Sequence, residues 1–455
     1  MVSAPSSSIF HYLLVLALLS AMSSAIDDRL CHFHTGRHSL SDPLEGLKYL
    51  VSFSLDRARH LKNPEYSSTI SVQLISNFFG AYTIPLNFGT PPQTLSFVMD
   101  TGSNFVWSPC TSHYLCKNCS TVLRTPTSKI PTFFPKKSSS TKVVSCKNPK
   151  CSWLHPGTSQ CDEDNSTCSP YFILYGSGST GGVPITDTLR IKQLTVPDFL
   201  VGCSVVSTGQ AAGIAGFGRG LASLPSQLNL NKFSYCSFSF KSVNNQSIQN
   251  SVLLDYTQTG SDKKTDGMMY TPFIKNPEVQ DMQAYLAYYY VGLRRITLGG
   301  RKVKIPYRYL APSQGDGNGG TVIDSGSTFT FMSRGAFEPL NDMLISQMKV
   351  RGYERNIDAE DLNGIGPCFD IPGKNVSFPD LRFHFKGGTE FTLPDENYMA
   401  SVGTDNTTIV CLAVITDQGG DEGGPGIILG NFQLQNYYVE FDLENERLGF
   451  RRERC

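Results

Sequence analysis

Two short stretches of the sequence share residues that could carry acid–base chemistry. Each is an apolar run that ends in an aspartate turn, FVMDTGS at 97–103 and TVIDSGS at 321–327. Later in each half an apolar segment meets a glycine, at 213–218 and at 426–431. One such turn is ordinary turn composition, but the repeated pair predicts that Asp100 and Asp324 face each other.

Paired carboxyls suit the hydrolysis of an amide by water, which needs a base for the water and an acid for the departing groups. Two like charges held close in a poorly solvated cleft do not both ionise, so the pair shares one proton. Gly102 and Gly326 allow tight loops with no Cβ in the way. Hydroxyl groups that can hold the carboxylates by hydrogen bonds flank both aspartates: Thr101, Ser103, Ser325 and Ser327.

The composition favours an all-β protein. Gly (41) and Pro (26) are frequent, Phe (28) and Tyr (20) abound, and this mixture is typical of many short strands joined by turns. Alternation predicts a strand over 82–89 and another over 95–99, while one helix is expected at 334–349. The formal net charge is zero, so the sequence predicts no nucleic-acid partner.

The N-terminal region differs in character from the rest of the chain. Residues 1–25 are typical of a signal peptide, and 26–79 are expected to form a prosegment, with the mature N-terminus between Tyr66 and Tyr82. The prosegment holds His32, His34, His38 and His60, whose protonation in acid is one hypothesis for its release. We expect no membrane anchor, because no other apolar stretch is long enough.

The cysteines indicate an oxidising compartment. Cys31 falls in the prosegment, and the other twelve cysteines suggest six disulfides; seven of the twelve lie in an irregular insertion over about 110–168. Cys116 and Cys119 are expected to take part in disulfides rather than in a zinc or redox site. Sequence does not fix the pairing; Cys368–Cys411 and Cys236–Cys455 are the plausible pairs. Glycosylation sequons, which fit secretion, stand at Asn118, Asn165, Asn245, Asn375 and Asn406.

Over residues 80–455 the chain resembles the pepsin-like aspartic proteases, most of all their plant, nepenthesin-like branch. The motifs that carry the resemblance are DTGSN from Asp100, DSGST from Asp324, YGSGS from Tyr175 and ILGNF from Ile428. In that family the paired carboxyls are known to share a proton. The insertion resembles the one found in this branch.

The resemblance implies two β-barrel-like lobes, 80–264 and 265–455, with an active-site cleft between them, a few short helices and a linker near 257–266. It implies that Asp100 and Asp324 are catalytic, that Tyr175 lies on a flap with Gly178 at its mobile tip, and that Trp107 supports Tyr175. The expected protein is a secreted, monomeric aspartic endopeptidase, made as a zymogen and active in acid on protein or peptide substrates. The vacuole is the alternative location.

Three alternatives stand beside the endopeptidase. Some plant relatives are inhibitors of cell-wall glycosidases, and such a protein would be catalytically inactive; the two intact aspartate turns and Tyr175 argue against it. A retroviral-type half-protease that dimerises is disfavoured because one chain already supplies both aspartates. No cofactor or metal is expected, since His113 and His155 are isolated and no metal-binding motif occurs.

Overall fold

The computed structural model describes residues 69–76, 80–119, 130–154, 167–210, 212–237, 250–256, 264–279, 282–371, 377–402, 408–417 and 423–455. The signal peptide, most of the prosegment, most of the predicted linker and four of the five sequons lie outside these residues. Of the sequons, only Asn118 is described, and it is exposed.

Strands dominate the described residues up to 256 and alternate with short turns. They are β1 (Thr69–Ser76), β2 (Tyr82–Phe88), β3 (Gln93–Asp100), β4 (Val106–Pro109), β5 (Leu115–Lys117), β6 (Lys142–Val143), β7 (Tyr171–Tyr175), β8 (Gly178–Ile191), β9 (Leu194–Thr208), β10 (Gly213–Gly216), β11 (Lys232–Ser237) and β12 (Asn250–Asp255).

Shorter strands make up most of the described residues from 264 onward. They are β13 (Met269–Pro272), β14 (Tyr289–Val291), β15 (Leu293–Leu298), β16 (Arg301–Lys302), β17 (Thr321–Ile323), β18 (Thr330–Met332), β19 (Glu354–Arg355), β20 (Cys368–Ile371), β21 (Leu381–Phe385), β22 (Glu390–Leu393), β23 (Met399–Val402), β24 (Thr408–Leu412), β25 (Val414–Ile415), β26 (Ile427–Leu429), β27 (Tyr437–Asp442) and β28 (Arg447–Arg452).

The helices of the described residues are mostly one or two turns long. They are α1 (Pro149–Leu154), α2 (Leu224–Gln227), α3 (Tyr307–Leu310), α4 (Arg334–Val350), α5 (Ile357–Asn363) and α6 (Asn431–Leu434), with 3₁₀ turns at Pro135–Lys137, Gln283–Ala287 and Asp395–Asn397. The exception, α4, is the helix predicted from the sequence, and it buries Leu340, Leu344 and Met348 as expected.

The described strands form four sheets. A sheet of 15 strands runs in the order β13-β28-β27-β11-β12-β1-β2-β3-β10-β4-β9-β8-β6, with β5 on β9 and β7 on β8. The other sheets use only strands from the second half: β14-β17-β26-β18-β25, β16-β15-β21-β22 and β19-β20-β24-β23. The all-β prediction is confirmed, and the division into two lobes stays a prediction.

Strand β2 shows why the sequence folds in this way. Its burial alternates along the strand, with Tyr82, Ile84, Leu86 and Phe88 in the core, because successive side chains of a strand point to opposite faces. It pairs antiparallel with β3, which delivers Asp100 at its carboxyl end.

Strand β1 belongs to the fold, although it falls inside the predicted prosegment 26–79. It pairs with β12 over Thr69–Leu74 and with β2 at Ile75 and Ser76. Its buried side chains are Ile70, Val72 and Leu74. A cut near residue 79 would therefore remove a paired strand from the large sheet, whereas a cut near Tyr66 would leave that strand in place.

Disulfides tie distant parts of the chain together. The two pairs that were plausible from the sequence, Cys368–Cys411 and Cys236–Cys455, are present, and Cys116 is bonded to Cys119. Two further bridges, Cys110–Cys203 and Cys151–Cys168, fasten the insertion. Cys146 is also disulfide-bonded.

The insertion contributes more to the core than its composition suggested. Phe133 and Val144 are 1% exposed, and the Phe133 ring packs edge-on against Phe88 of β2, with 6.5 Å between the ring centroids. Scattered single apolar residues between polar ones do not show in the sequence as a core segment.

Candidate active site

The two aspartate turns are built on the same local plan. Strand β3 runs parallel to β10, which is antiparallel to β4. In the second half β17 runs parallel to β26, which is antiparallel to β18. Asp100 ends β3 and Asp324 follows β17 directly. The repeat found in the sequence is thus a repeat of strand pairing.

The structure brings the two carboxyls together. The Asp324 carboxyl lies close enough to Asp100 that its charge and hydrogen bonding raise the pKa of Asp100. A Cβ placed on Gly326 would come 2.5 Å from Asp100 Oδ1, and one on Gly102 would come 2.8 Å from Asp324 Oδ1. Each glycine therefore leaves the space that the opposite carboxyl fills.

Each carboxylate is held by its own loop in the same way. The Gly102 amide donates to Asp100 Oδ1 at 2.9 Å, and the Ser103 hydroxyl donates to Asp100 Oδ2 at 2.5 Å. The second turn repeats this arrangement, with the Gly326 amide at 2.8 Å and the Ser327 hydroxyl at 2.6 Å from Asp324. Both oxygens of each carboxylate are thereby fixed in orientation.

The residues after the aspartates join the two loops. The Thr101 amide donates to Ser325 Oγ at 3.0 Å, and the Ser325 amide donates to Thr101 Oγ1 at 2.9 Å. The hydroxyls donate in turn to backbone carbonyls across the pair, Thr101 to Ile323 at 3.1 Å and Ser325 to Met99 at 2.8 Å. Both side chains are fully buried, so these four bonds fix the spacing of the carboxyls.

Burial governs the electrostatics of the pair. Asp100 is only 8% exposed; burial raises its pKa well above the usual range, the Asp324 carboxylate raises it further, and the hydrogen bond from Ser103 opposes the rise. Removing a carboxylate from water disfavours its charged form, and a like charge nearby adds to this. The pair therefore holds a proton at pH values where a solvent-exposed aspartate has lost it.

This raised pKa predicts a pH-dependent stability. Between the ordinary aspartate pKa and the raised one, the folded chain binds more protons than the unfolded chain, so the free energy of unfolding falls as pH rises above about 4. The loss is about 1.4 kcal/mol for each unit by which the pKa is raised. Since an amide cannot titrate, urea unfolding of Asp100→Asn at pH 4 and pH 7 should show a smaller fall than the wild type. An equal fall in the free energy of unfolding of the two proteins would contradict the raised pKa of Asp100.

A second prediction tests the close approach at Gly326. A methyl group there would press on the Asp100 carboxyl, so Gly326→Ala should lower the kcat of any acid–base chemistry at the pair by about 100-fold, the cost of displacing a reacting group by about 1 Å. Gly315→Ala, at an exposed residue outside the site, is the matched control, because its added Cβ would meet only Ser313 Oγ, at 4.0 Å. Equal kinetics of the two variants would refute the crowding.

A hairpin carries Tyr175 close to Asp100. Strands β7 and β8 pair from Tyr171–Gly182 to Tyr175–Gly178, which leaves Gly176 and Ser177 as the turn. Trp107 is fully buried in β4, and its indole N–H donates to the Tyr175 hydroxyl at 2.8 Å. Burial raises the pKa of Tyr175, and the Asp100 charge adds to the rise, so the phenol stays neutral beside the site.

The sequence predicts Gly178 at the tip of this hairpin, but the residue lies next to the tip and pairs with Tyr175. It is the first residue of β8, and an added Cβ would come 1.9 Å from the Thr208 carbonyl oxygen. The glycine there permits close approach of β9, and the turn residues are the two that precede it. The turn is also tethered, since Gln210 Nε2 donates to Ser177 Oγ at 2.9 Å and the Tyr114 hydroxyl donates to the Gln210 carbonyl oxygen.

Two other neighbours of the pair could not be singled out from the sequence. Burial raises the pKa of Tyr288 to about 12, with smaller contributions from the Asp324 and Asp100 charges; the residue precedes β14 in a run of three tyrosines that gives no sign of which one faces the carboxyls. Asn431 is fully buried and donates to the carbonyl oxygens of Ser325 and Gly80. Its only signal was its place in the ILGNF motif.

Neither a metal site nor a membrane-spanning helix is found among the described residues. His113 is exposed in the insertion, and no group of three or more His, Cys, Asp or Glu among the described residues is arranged to hold a metal ion. No helix in the described parts of the chain has the length and apolar character to cross a bilayer.

The site is thus a pair of symmetrically held carboxyls, Asp100 buried and Asp324 half-buried, joined through their loops and placed beside a hairpin tyrosine. Such a site is typical of the aspartic proteases, and comparison with known proteins agrees with this class. Family models described as "Xylanase inhibitor N-terminal" and "Xylanase inhibitor C-terminal" match residues 82–253 and 288–452. The chain is 30% identical to a probable aspartyl protease of Arabidopsis thaliana, over 96% of this chain and 94% of that protein.

Further relatives agree. Aspartic proteinase nepenthesin-1 of Nepenthes gracilis is 31% identical over 83% of this chain and 78% of its own length. Among solved structures, that of edgp has a TM-score of 0.62 at 23% identity, covering 84% of this chain and 94% of that one, and the basic 7S globulin from soybean has a TM-score of 0.60 at 18% identity, covering 85% and 95%. This chain belongs to the pepsin-like aspartic protease family, in its plant, nepenthesin-like branch.

Proposed function

We propose that this protein is a secreted aspartic endopeptidase that hydrolyses peptide bonds at acidic pH. The observation that carries the proposal is the pair of Asp100 and Asp324. The hydrogen bonds that hold each carboxylate and join the two loops are present in both loops. The disulfides fit a protein that passes through an oxidising compartment.

The geometry suits direct attack by water. With one proton on the pair, the ionised carboxyl takes a proton from a water molecule whose oxygen attacks the substrate carbonyl carbon, and the protonated carboxyl gives its proton to the carbonyl oxygen. The tetrahedral species then collapses: the C–N bond breaks, the amine takes from the pair the proton that came from water, and one hydroxyl of the species gives its proton to the ionised carboxyl, which restores the singly protonated pair. We assign these roles to Asp100 and Asp324 as a unit, because coupled groups titrate together.

The family name leaves a second candidate open. Both halves of the chain match models described as xylanase inhibitor domains, so an inhibitor of a cell-wall glycosidase is the alternative. An inhibitor has no need of two carboxyls aligned across four buried hydrogen bonds, which is why the endopeptidase is preferred.

One experiment separates the two candidates. The full chain, folded and acid-treated, is assayed from pH 2 to 7 on denatured haemoglobin with and without pepstatin, a transition-state mimic, and in parallel on a xylanase. We expect pepstatin-sensitive cleavage with an acid optimum and no loss of xylanase activity. Stoichiometric inhibition of the xylanase by a chain that cleaves nothing would overturn the proposal.

A further inference from the structure

The positive charges of this neutral chain are unevenly placed. No Asp or Glu stands between Asp281 and Asp316, and this stretch holds six basic residues. They are Arg294, Arg295, Arg301, Lys302, Lys304 and Arg308. The stretch contains β15 and β16, which form one side of the sheet β16-β15-β21-β22.

Strand register puts several of these cations on one face. Lys302 pairs with Thr297, and residues directly opposite each other in a sheet share a face. The Val303 amide donates to the Ile296 carbonyl oxygen at 2.9 Å, so Lys304 follows on the same face beside Arg295. Val303 and Ile296 point the other way into the core, each 1% exposed or less.

An irregularity in β15 adds a further cation. The register with β21 shifts between Leu293 and Arg295, and Arg294 and Arg295 are exposed in succession where a regular strand would bury one of them. Bulges of this kind re-aim side chains. Arg294 donates to the Tyr307 hydroxyl at 3.1 Å, and to no carboxylate of the described residues.

Four of these six cations form no ion pair within the described residues. Arg295, Arg301, Lys302 and Lys304 are exposed, and no ion pair joins any of them to a carboxylate in the described part of the chain. The neighbouring strands differ, since Glu390 contacts both His384 at 3.0 Å and Arg382 at 3.9 Å. The unneutralised part is the side formed by Arg295, Lys302 and Lys304, called here the basic face.

We propose that the basic face binds a carboxylated polysaccharide, a linear polyuronate. Neighbouring cations that form no ion pair among the described residues attract a polymer with a charge on every repeat, because the polyanion releases counterions when the cations bind it. The planar fork of Arg295, with Arg294 beside it, matches a carboxylate through two parallel hydrogen bonds.

The disulfides favour a glycan over phosphate polymers. Five bridges join described residues, and such bonds persist outside the reducing cytosol and nucleus, where nucleic acids are concentrated. Anionic lipid headgroups are likewise concentrated in the cytoplasmic leaflet of the membrane, which a secreted protein does not meet. The proposal does not depend on proteolysis, because none of these residues touches the carboxyl pair.

The test compares two triple variants of the full chain. One is Arg295→Gln, Lys302→Gln and Lys304→Gln; the control is Lys147→Gln, Lys192→Gln and Lys349→Gln, which removes the same charge from exposed residues elsewhere. Binding to polygalacturonate is measured by calorimetry at several salt concentrations, with a neutral glucan, dextran sulfate, single-stranded DNA and anionic lipid vesicles as comparison ligands.

We expect the basic-face variant to bind polygalacturonate about 100-fold more weakly at low salt, about tenfold or less for each cation lost, with a shallower salt dependence. The control variant should bind like the wild type. Equal binding by both variants, no binding by the wild type, or tighter binding to dextran sulfate, DNA or vesicles than to polygalacturonate would overturn the proposal.

Discussion

Replacing Asp100 by Asn should lower kcat/KM on a denatured protein substrate by about 10²- to 10⁴-fold, the range for losing a general acid–base group. The amide has nearly the same shape: its oxygen can still accept the hydrogen bond from the Gly102 amide, and its NH₂ group can donate to the Ser103 hydroxyl, which now donates to Asp100. It cannot share a proton with Asp324, so neither water activation nor protonation of the carbonyl oxygen is complete.

The controls for this variant separate chemistry from folding. Asp324→Asn should lose activity to the same extent, since the two carboxyls act as a unit. Asp316→Asn, at an exposed aspartate outside the site, should keep full activity. Near-ultraviolet circular dichroism should be the same for all three variants. An Asp100→Asn protein that keeps more than about a tenth of wild-type activity would contradict the shared-proton account.

Replacing Ser325 by Ala should destabilise the fold by about 2–6 kcal/mol, because it leaves two buried backbone groups without a partner at about 1–3 kcal/mol each. These are the Thr101 N–H and the Met99 carbonyl oxygen, which the Ser325 hydroxyl satisfies. The side chain is 0% exposed, and water cannot replace the lost bonds.

Ser325→Thr is the matched control for that loss. The equivalent position in the other loop is Thr101, which makes the mirrored bonds with its own hydroxyl. The free energy of unfolding of the Ser325→Thr variant should therefore lie within about 1 kcal/mol of the wild-type value, as for a tolerated small change in volume. Urea unfolding at pH 5 measures both variants. An alanine variant as stable as the threonine variant would show that the loops are held by other contacts.

The sequence predicted those parts of the site that depend on local pattern. The repeated apolar run and Asp turn identified Asp100 and Asp324, because a strand that ends in a tight turn is written in consecutive residues. The helix at 334–350 followed from the 3.6-residue spacing of Leu340, Leu344 and Met348. The alternation in β2 was visible for the same reason.

Features that depend on contacts between distant residues were not predictable. The bridge between Cys110 and Cys203 spans 93 residues, and nothing in the spacing of cysteines selects it over other pairs. Gly178 resembled a turn glycine, yet its constraint comes from Thr208 on the next strand. Which tyrosine of the run 288–290 lies beside the carboxyls depends on the pairing of β14 with β17, so the sequence did not identify Tyr288.

The measurement that tests the central claim most directly is the hydrolysis of one defined peptide, followed by mass spectrometry from pH 2 to 7, with the wild-type chain and Asp100→Asn. We predict two fragments from the cleavage of a single amide bond, formed fastest in acid by the wild type and not detectably by the variant. A folded wild-type chain that leaves the peptide intact at every pH, or a variant that cleaves it equally fast, would contradict the account.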